Sequence, residues 1–270
     1  TTDTFRPREE TSGMSDDVER EAMEYDVVIV GGGPAGLAAA IRLKQQAAAA
    51  GTDVSVALLE KGSEVGAHIL SGAVIDPKAL TELFPDWKEK GAPLKTKVTE
   101  DQFLMLGPQG EAALPVWAMP AFMNNHGNYI ASLANLCRWL AAEAEALGVE
   151  VYPGMAASDM VFNEDGSLKG VVAGVFGIDK TGEKGPDYQP GLELHAKYTF
   201  IAEGARGYLA KQLQARFNLN DGKEPQKYGI GLKEIWQVPD ANFKPGLVVH
   251  SFGWPLDDKT GGGSFMYHFG

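Results

Sequence analysis

Tyr25 to Gly36 reads YDVVIVGGGPAG, and the rest of the chain takes its place around this stretch. Val27–Val30 is a short β-branched run, long enough for one buried strand and too short for a helix. Gly31, Gly33 and Gly36 follow in the spacing G-x-G-x-x-G, and Leu37–Ala50 (LAAAIRLKQQAAAA) is a strong helix former. Strand, glycine turn and helix in that order are the context in which this spacing signals a dinucleotide site. Gly31 permits the tight turn. Gly33 lets a pyrophosphate reach the backbone without meeting a Cβ, and Gly36 lets helix and strand pack closely. The free N–H groups at the helix start, with about half a positive charge from the macrodipole, then hold the phosphates. A second strand, Val54–Leu59, ends in Glu60. Its carboxylate is placed to accept hydrogen bonds from an adenosine ribose and to repel a 2′-phosphate.

The 270 residues suffice for one large domain or two smaller ones. Hydrophobic residues make up 44% and charged residues 22%, as in ordinary globular proteins, and a net charge of −12 argues against nucleic acid as the main partner. Half of that charge lies in Thr1–Asp26, which holds nine acids, three bases and no apolar run; residues 1–24 are expected to form a disordered acidic tail. Cys137 is the only cysteine, so these residues offer no disulfide and no cysteine cluster for zinc or iron–sulfur. No run of about 18 apolar residues is present to span a bilayer as a helix.

Ala67–Trp87 reads AHILSGAVIDPKALTELFPDW. Asp76 and Pro77 suit the start of a short helix, on which Leu80, Leu83, Phe84 and Trp87 share one apolar face. That face belongs either in the core or against a membrane or lipid-like substrate; burying it contributes roughly 6–10 kcal/mol before entropy costs. Ala112–Met123 (AALPVWAMPAFM) is uncharged, and its two prolines rule out a regular helix or central strand. It suits a core filler, a pocket lining or a lipid contact. Asn128 is expected to cap a helix over Tyr129–Leu147, stopped by Gly148. Strands are expected over Val149–Tyr152, Ala156–Phe162, Leu168–Ile178 and Leu192–Ala202, with a polar loop over Glu183–Gly191. Glu203-Gly204-Ala205-Arg206-Gly207 forms a second strand–glycine–helix turn, followed by a helix over Tyr208–Phe217. Tyr228–Gly270 has the pattern of long strands around Gly261–Gly263, where backbone can approach a flat ligand. The strand pattern is still running at Gly270, as expected of part of a longer protein.

Several phrases carry a more specific likeness. VVIVGGGPAGLAAA resembles the first FAD signature of glutathione-reductase-type flavoproteins. LLEKGSEVGAHILSG, ELFPDWKEKGAPL, VTEDQF, NNHGNYI, EALGVEVYPG, YGIGLKE and GWPLD resemble the electron transfer flavoprotein–ubiquinone oxidoreductase family over nearly all of Tyr25–Gly270. The resemblance implies an α/β fold: a glutathione-reductase-type FAD-binding Rossmann-like domain over 25–225, with an inserted membrane-dipping segment near 65–86 and a β ribbon. An antiparallel-sheet ubiquinone-binding domain would begin at 226. It implies FAD and one [4Fe-4S] cluster, with electrons passing from reduced electron transfer flavoprotein to ubiquinone. Attachment would be to one face of the mitochondrial inner or bacterial cytoplasmic membrane. Matched by position, Gly31, Gly32, Gly33, Pro34, Ala35, Gly36, Glu60 and Lys61 belong to the FAD site, as do Gly204 and Arg206 in the second turn. Gly262 and Gly263 match the quinone head-group site. The family's four cluster cysteines fall outside these residues, and Cys137 matches none of them. Electron transfer of this kind needs no catalytic side chain; His250 and His268, flanking the glycine run, are candidates to relay quinone protons. Two other readings remain open: a related isoprenoid reductase or hydroxylase using NAD(P)H, and a nucleotide- or lipid-surface-binding module without redox chemistry.

Overall fold

The structure, a computed structural model, describes residues 19–69 and 72–269. The chain opens with β1 (Ala22–Val30), α1 (Pro34–Ala49), β2 (Val56–Glu60), β3 (Gly72–Ile75), α2 (Lys78–Leu83) and β4 (Thr96–Lys97). It continues through β5 (Glu100–Gly107), β6 (Gly110–Leu114), two 3-10 turns at Val116–Ala118 and Ala121–Met123, β7 (Tyr129–Ser132) and α3 (Leu133–Ala146). Then come β8 (Glu150–Pro153), β9 (Ala157–Phe162), β10 (Leu168–Ala173), β11 (Phe176–Ile178), β12 (Lys184–Gln189) and β13 (Leu192–Ile201). The last elements are α4 (Tyr208–Arg216), β14 (Leu247–Gly253) and β15 (Gly263–Tyr267).

The main sheet has the order β8-β2-β1-β13-β10-β9. Its first four strands run parallel, and β10 and β9 are antiparallel. Both faces of the β-branched β1 are buried: Val27 and Ile29 pack beneath α1 and α3, while Val28 and Val30 pack with Leu59, Val171 and Leu209. A parallel sheet covered on both sides reads as a continuous apolar run, which is why VVIV lacks alternation.

Beside the two-stranded β11-β12 ribbon, two smaller sheets hold the remainder, β3-β7-β4 and β15-β14-β5-β6. In the second of these β14 pairs antiparallel with β15 but parallel with β5, over Leu247↔Glu100 to Gly253↔Leu106. Residues 226–270 therefore share their sheet with 100–114, which supply β5 and β6. Val98, Ile130 and Val248 join the two small sheets in a core that Tyr267 covers.

Other expectations also change. Of the expected tail, residues 1–18 lie outside the described residues, and β1 begins within it, at Ala22, because Ala22–Glu24 find parallel partners in Glu193–His195. Tyr129–Ser132 is a strand between β3 and β4 rather than the first turn of a helix. The cap is Ser132, whose hydroxyl accepts from the Asn135 N–H at 3.3 Å, and not Asn128. Gly174, at φ +74°, breaks the expected Leu168–Ile178 strand, and β11 turns back on β12 within the expected polar loop. The stretch 228–239 has a strand's pattern but no partner strand. It runs without regular structure, with Ile230 100% and Leu232 94% exposed.

The apolar face of α2 turns inward. Leu80, Leu83, Phe84 and Trp87 are all buried in the core beside α1 and α3. Trp87 meets Tyr129 edge-on and donates to the Thr81 hydroxyl at 3.0 Å; Phe84 meets Trp139 edge-on. These four side chains are core, and the membrane reading of this face is not the one the fold adopts. The opposite holds for Ala112–Met123, where Trp117 is 88% and Phe122 87% exposed on the two 3-10 turns.

Candidate functional site

The C-terminal ends of β2, β1 and β13 are tied in a row: Gly31 N–H donates to Leu59 O and Ala202 N–H to Val30 O, both at 2.8 Å. This is the end of a parallel sheet at which ligands bind. Gly31 has φ +116°, and a Cβ there would lie 2.3 Å from Ala202 O. At Gly36 a Cβ would lie 2.0 Å from Gly31 O, so the first helical turn sits directly on the strand end. Gly33, the residue before the helix, has no atom within 4 Å of the position a Cβ would take. Two of the three glycines are thus required by the fold, and the third faces open space.

Helix α1 begins with Pro34 at its first turn, with no side chain bonded at its cap and no acid in that turn. Its N-terminal N–H groups and dipole are therefore left for an anion. Glu60 sits across the turn. Its carboxylate accepts from Gly32 N–H at 3.0 Å and Gly62 N–H at 2.6 Å, one on each oxygen. These bonds fix its orientation, and each oxygen keeps a second lone pair for a ribose hydroxyl. Lys61 beside it is exposed. The donor set, open cradle and fixed carboxylate fit a dinucleotide.

The second turn lies against the first through the Gly31–Ala202 contact, as the two glycine motifs implied. Its chemistry differs. Glu203 accepts from Tyr208 N–H at 3.2 Å and Ala210 N–H at 2.9 Å, so the start of α4 already holds its own carboxylate. Gly204 is exposed at φ +78°, and the Arg206 guanidinium lies over the Tyr228 ring at 5.2 Å. Gly204, Lys211, Gln226 and Tyr228 line a cavity of about 360 Å³. A larger cavity, about 430 Å³, opens at the start of β1, away from the glycine turns. Several of its polar groups pair among themselves, Lys197 with Asp26 at 2.6 Å and His195 with Glu24 at 2.8 Å, which makes it the poorer candidate.

Cys137 is fully buried on α3, and burial, with the negative charge of Glu60 adding, pushes its thiol up to about 11. An inert thiol of this kind holds no cluster.

The second candidate region is one face of β15-β14-β5-β6. Strand registry places Asp101, Phe103 and Met105 of β5 beside Val248, His250 and Phe252 of β14, and these beside Tyr267, Phe265 and Gly263 of β15. Residues paired in register share a face. The rings touch in sequence: Phe103 lies 5.9 Å from both His250 and Phe252, His250 5.9 Å from Tyr267, and Tyr267 5.0 Å from Phe265. Met105, Phe252 and Phe265 remain exposed. Gly262 and Gly263 lie at the open end of this face. A Cβ on Gly263 would meet Ser251 O at 2.3 Å, so the hairpin itself demands that glycine. His268 is drawn into structure, its Nδ1 accepting from Lys244 N–H at 3.0 Å with its ring stacked on Phe243. Asp101, Phe103 and Tyr267 escaped sequence reasoning; the alternation in DQFLM and SFMYHF was the signal available for them.

Comparisons with known proteins give two family matches, one overlapping each region. The model of the NAD(P)-binding Rossmann-like domain matches residues 29–86, and that of the ETF-QO, ubiquinone-binding family matches 228–270. The chain is 57% identical over 253 residues to the electron transfer flavoprotein-ubiquinone oxidoreductase of Pseudomonas aeruginosa, covering 93% of this chain and 46% of the relative. It is 56% identical over 252 residues to the human mitochondrial protein of the same name, covering 93% and 40%. The chain belongs to the electron transfer flavoprotein–ubiquinone oxidoreductase family. It spans less than half the length of these curated relatives. Among solved structures, a geranylgeranyl bacteriochlorophyll reductase-like protein of Thermoplasma acidophilum has the same fold. The two share 18% identity and a TM-score of 0.51, over 86% of this chain and 51% of that one.

Proposed function

We propose that the chain is the FAD-holding, quinone-facing part of an oxidoreductase that passes electrons from reduced electron transfer flavoprotein to ubiquinone. The observation that carries this reading is identity of 54–57% to relatives of that name over 93% or more of the chain. In it, the pyrophosphate of FAD lies on Gly32–Gly36 at the start of α1, with no Cβ at Gly33 to hold it off, and the adenosine ribose bonds Glu60. Lys61, Gly204 and Arg206 complete the rim. When bound, FAD supplies two-electron and one-electron chemistry; the protein binds and orients it and shapes the quinone's approach.

The [4Fe-4S] cluster does not fit these residues. It needs four thiolates, and the sequence has one cysteine, buried and protonated.

Ubiquinone is assigned to the aromatic face beside Gly262 and Gly263. No helix among the described residues is long and apolar enough to cross a membrane. Contact with the quinone-bearing bilayer, mitochondrial inner or bacterial cytoplasmic, is assigned instead to Trp117 and Phe122. Two bare aromatic side chains on uncharged, proline-bounded turns suit an interfacial contact.

The test is an anaerobic visible spectrum of the full-length protein. Reduced electron transfer flavoprotein should bleach the flavin and a short-chain ubiquinone should restore it. A flavin that ignores this donor and bleaches with NAD(P)H would overturn the assignment.

A further inference from the structure

His250 lies within the aromatic face assigned to ubiquinone, half-buried between Phe103 and Tyr267. Its Nε2 lies 3.4 Å from the Tyr267 hydroxyl. No contact to its other ring nitrogen, Nδ1, is seen among the described residues. Tyr267 forms part of the small core joining the two sheets. Burial first, and the charge of Asp101 second, raise its hydroxyl above the ordinary phenol value. Asp101 lies in register with Tyr267 across β14, and is held by the Asn125 backbone N–H at 2.9 Å. Gly263, at the open end, is paired with Phe252, two residues along β14 from His250. The face therefore runs from exposed apolar rings and glycine backbone to a polar end made of an imidazole, a phenol and a carboxylate.

We propose that His250 delivers one of the two protons of quinone reduction, refilled through Tyr267 from the Asp101 end of the sheet. The inference rests on the ubiquinone reading above. Reduction of the benzoquinone takes two electrons from reduced flavin and two protons, one forming an O–H bond at each carbonyl oxygen. In its transfer the Nδ1–H bond of a neutral His250 breaks toward one quinone oxygen as Nε2 takes the Tyr267 hydroxyl proton, and solvent at the Asp101 end returns a proton to Tyr267. The other carbonyl oxygen takes its proton from solvent at the open end. Once the quinol has left, solvent protonates Nδ1 and the Nε2 proton goes back through Tyr267, which restores the starting tautomer. Such a relay keeps every group on the apolar face neutral except Asp101, which stays at its rim. Lys233, over the Phe265 ring at 5.1 Å, is the cation on the opposite side. His268 cannot serve, because Nδ1 is committed to the Lys244 backbone. Strand parity also places it away from Tyr267 and His250.

The test uses full-length holoenzyme, its flavin reduced by the flavoprotein donor and reoxidised either by short-chain ubiquinone or by ferricenium, which takes electrons without protons. His250→Asn should slow reoxidation by quinone at least about 100-fold, the lower end of the usual worth of a positioned proton donor, and leave the ferricenium rate unchanged. Added imidazole should restore part of the quinone rate to His250→Ala. Tyr267→Phe, which keeps the ring and its packing, should lower the quinone rate about 3- to 10-fold and guards against misfolding of the His250 variants. Wild-type quinone rates in both His250→Asn and Tyr267→Phe would overturn the inference alone. So would equal losses with both acceptors. A wild-type flavin that ubiquinone does not reoxidise would overturn the ubiquinone reading itself.

Discussion

Adding one methyl group to either of two neighbouring glycines should separate folding from cofactor binding. In Gly36→Ala the new Cβ would lie 2.0 Å from Gly31 O and 3.1 Å from Ile29 Cγ2. Backbone cannot step aside as a flexible side chain does, and overpacking of this kind costs about 3 kcal/mol. Helix propensity returns about 1 kcal/mol, leaving a net loss near 2 kcal/mol. In Gly33→Ala the φ of −83° suits any residue and no atom lies within 4 Å, so the fold loses only the poorer cap, about 0.5–1 kcal/mol. The same methyl stands where the pyrophosphate must approach. Losing one charge-assisted N–H···O bond costs about 1.5–3 kcal/mol, a Kd weaker by about 10- to 150-fold. Urea unfolding of both variants and titration of FAD into the apoproteins, followed by flavin fluorescence, give the two quantities. A Gly33→Ala protein that binds FAD as tightly as the parent would refute the phosphate cradle.

Trp87→Ala removes a buried ring and its bond to Thr81, so it should cost about 3–5 kcal/mol in urea unfolding. The double change Trp117→Ser and Phe122→Ser should leave the urea midpoint in place. In liposome flotation it should weaken binding by at least about 30-fold, on the area these rings would bury. Cys137, its thiol pushed up to about 11, should resist iodoacetamide at pH 8 in the folded protein and react on unfolding. Asp26 is held down to about 2 by hydrogen bonds from Lys197 and Ser55. A depressed carboxyl stabilises the fold above its unfolded value near 4, and that contribution fades as the pH falls toward 2. Asp26→Asn should therefore flatten the acid limb of the unfolding curve between those values.

The dinucleotide turn was legible because its physics is local: one buried strand, three glycines at fixed spacing and a helix that starts at once. Where two local signals ran together, the reading slipped. Tyr129 and Ile130 extend the helical apolar pattern backward, but their hydrogen bonds go to Gly72–Ile75, a partner that only tertiary structure reveals. The apolar face of α2 could be read, whereas its destination could not, since a core and a lipid surface ask for the same side chains. In 228–236 the strand pattern is present and the ladder is not; alternation without a partner strand leaves the backbone with water. His250 and His268 look alike in sequence around the glycine run. One position's parity on the strand turns one toward Tyr267 and the other toward Phe243.

The parallel pairing of β14 with β5 has a consequence for how the protein is made. The β5–β6 hairpin leaves the ribosome with one edge bare, and the strand that covers it begins 140 residues after Gly107. At synthesis rates of about 5–20 residues per second, that edge waits roughly 7–28 s for its neighbour. Meanwhile a finished strand carrying Phe103, Leu104 and Met105 offers unpaired N–H and C=O groups to any similar edge on another nascent chain. The nucleotide half shares this exposure: β1 pairs with β2 once residue 60 is out, but its other edge waits for β13, which begins 162 residues after Val30. The nascent chain is therefore open to aggregation at both places, one of them the strand that lines the proposed quinone face.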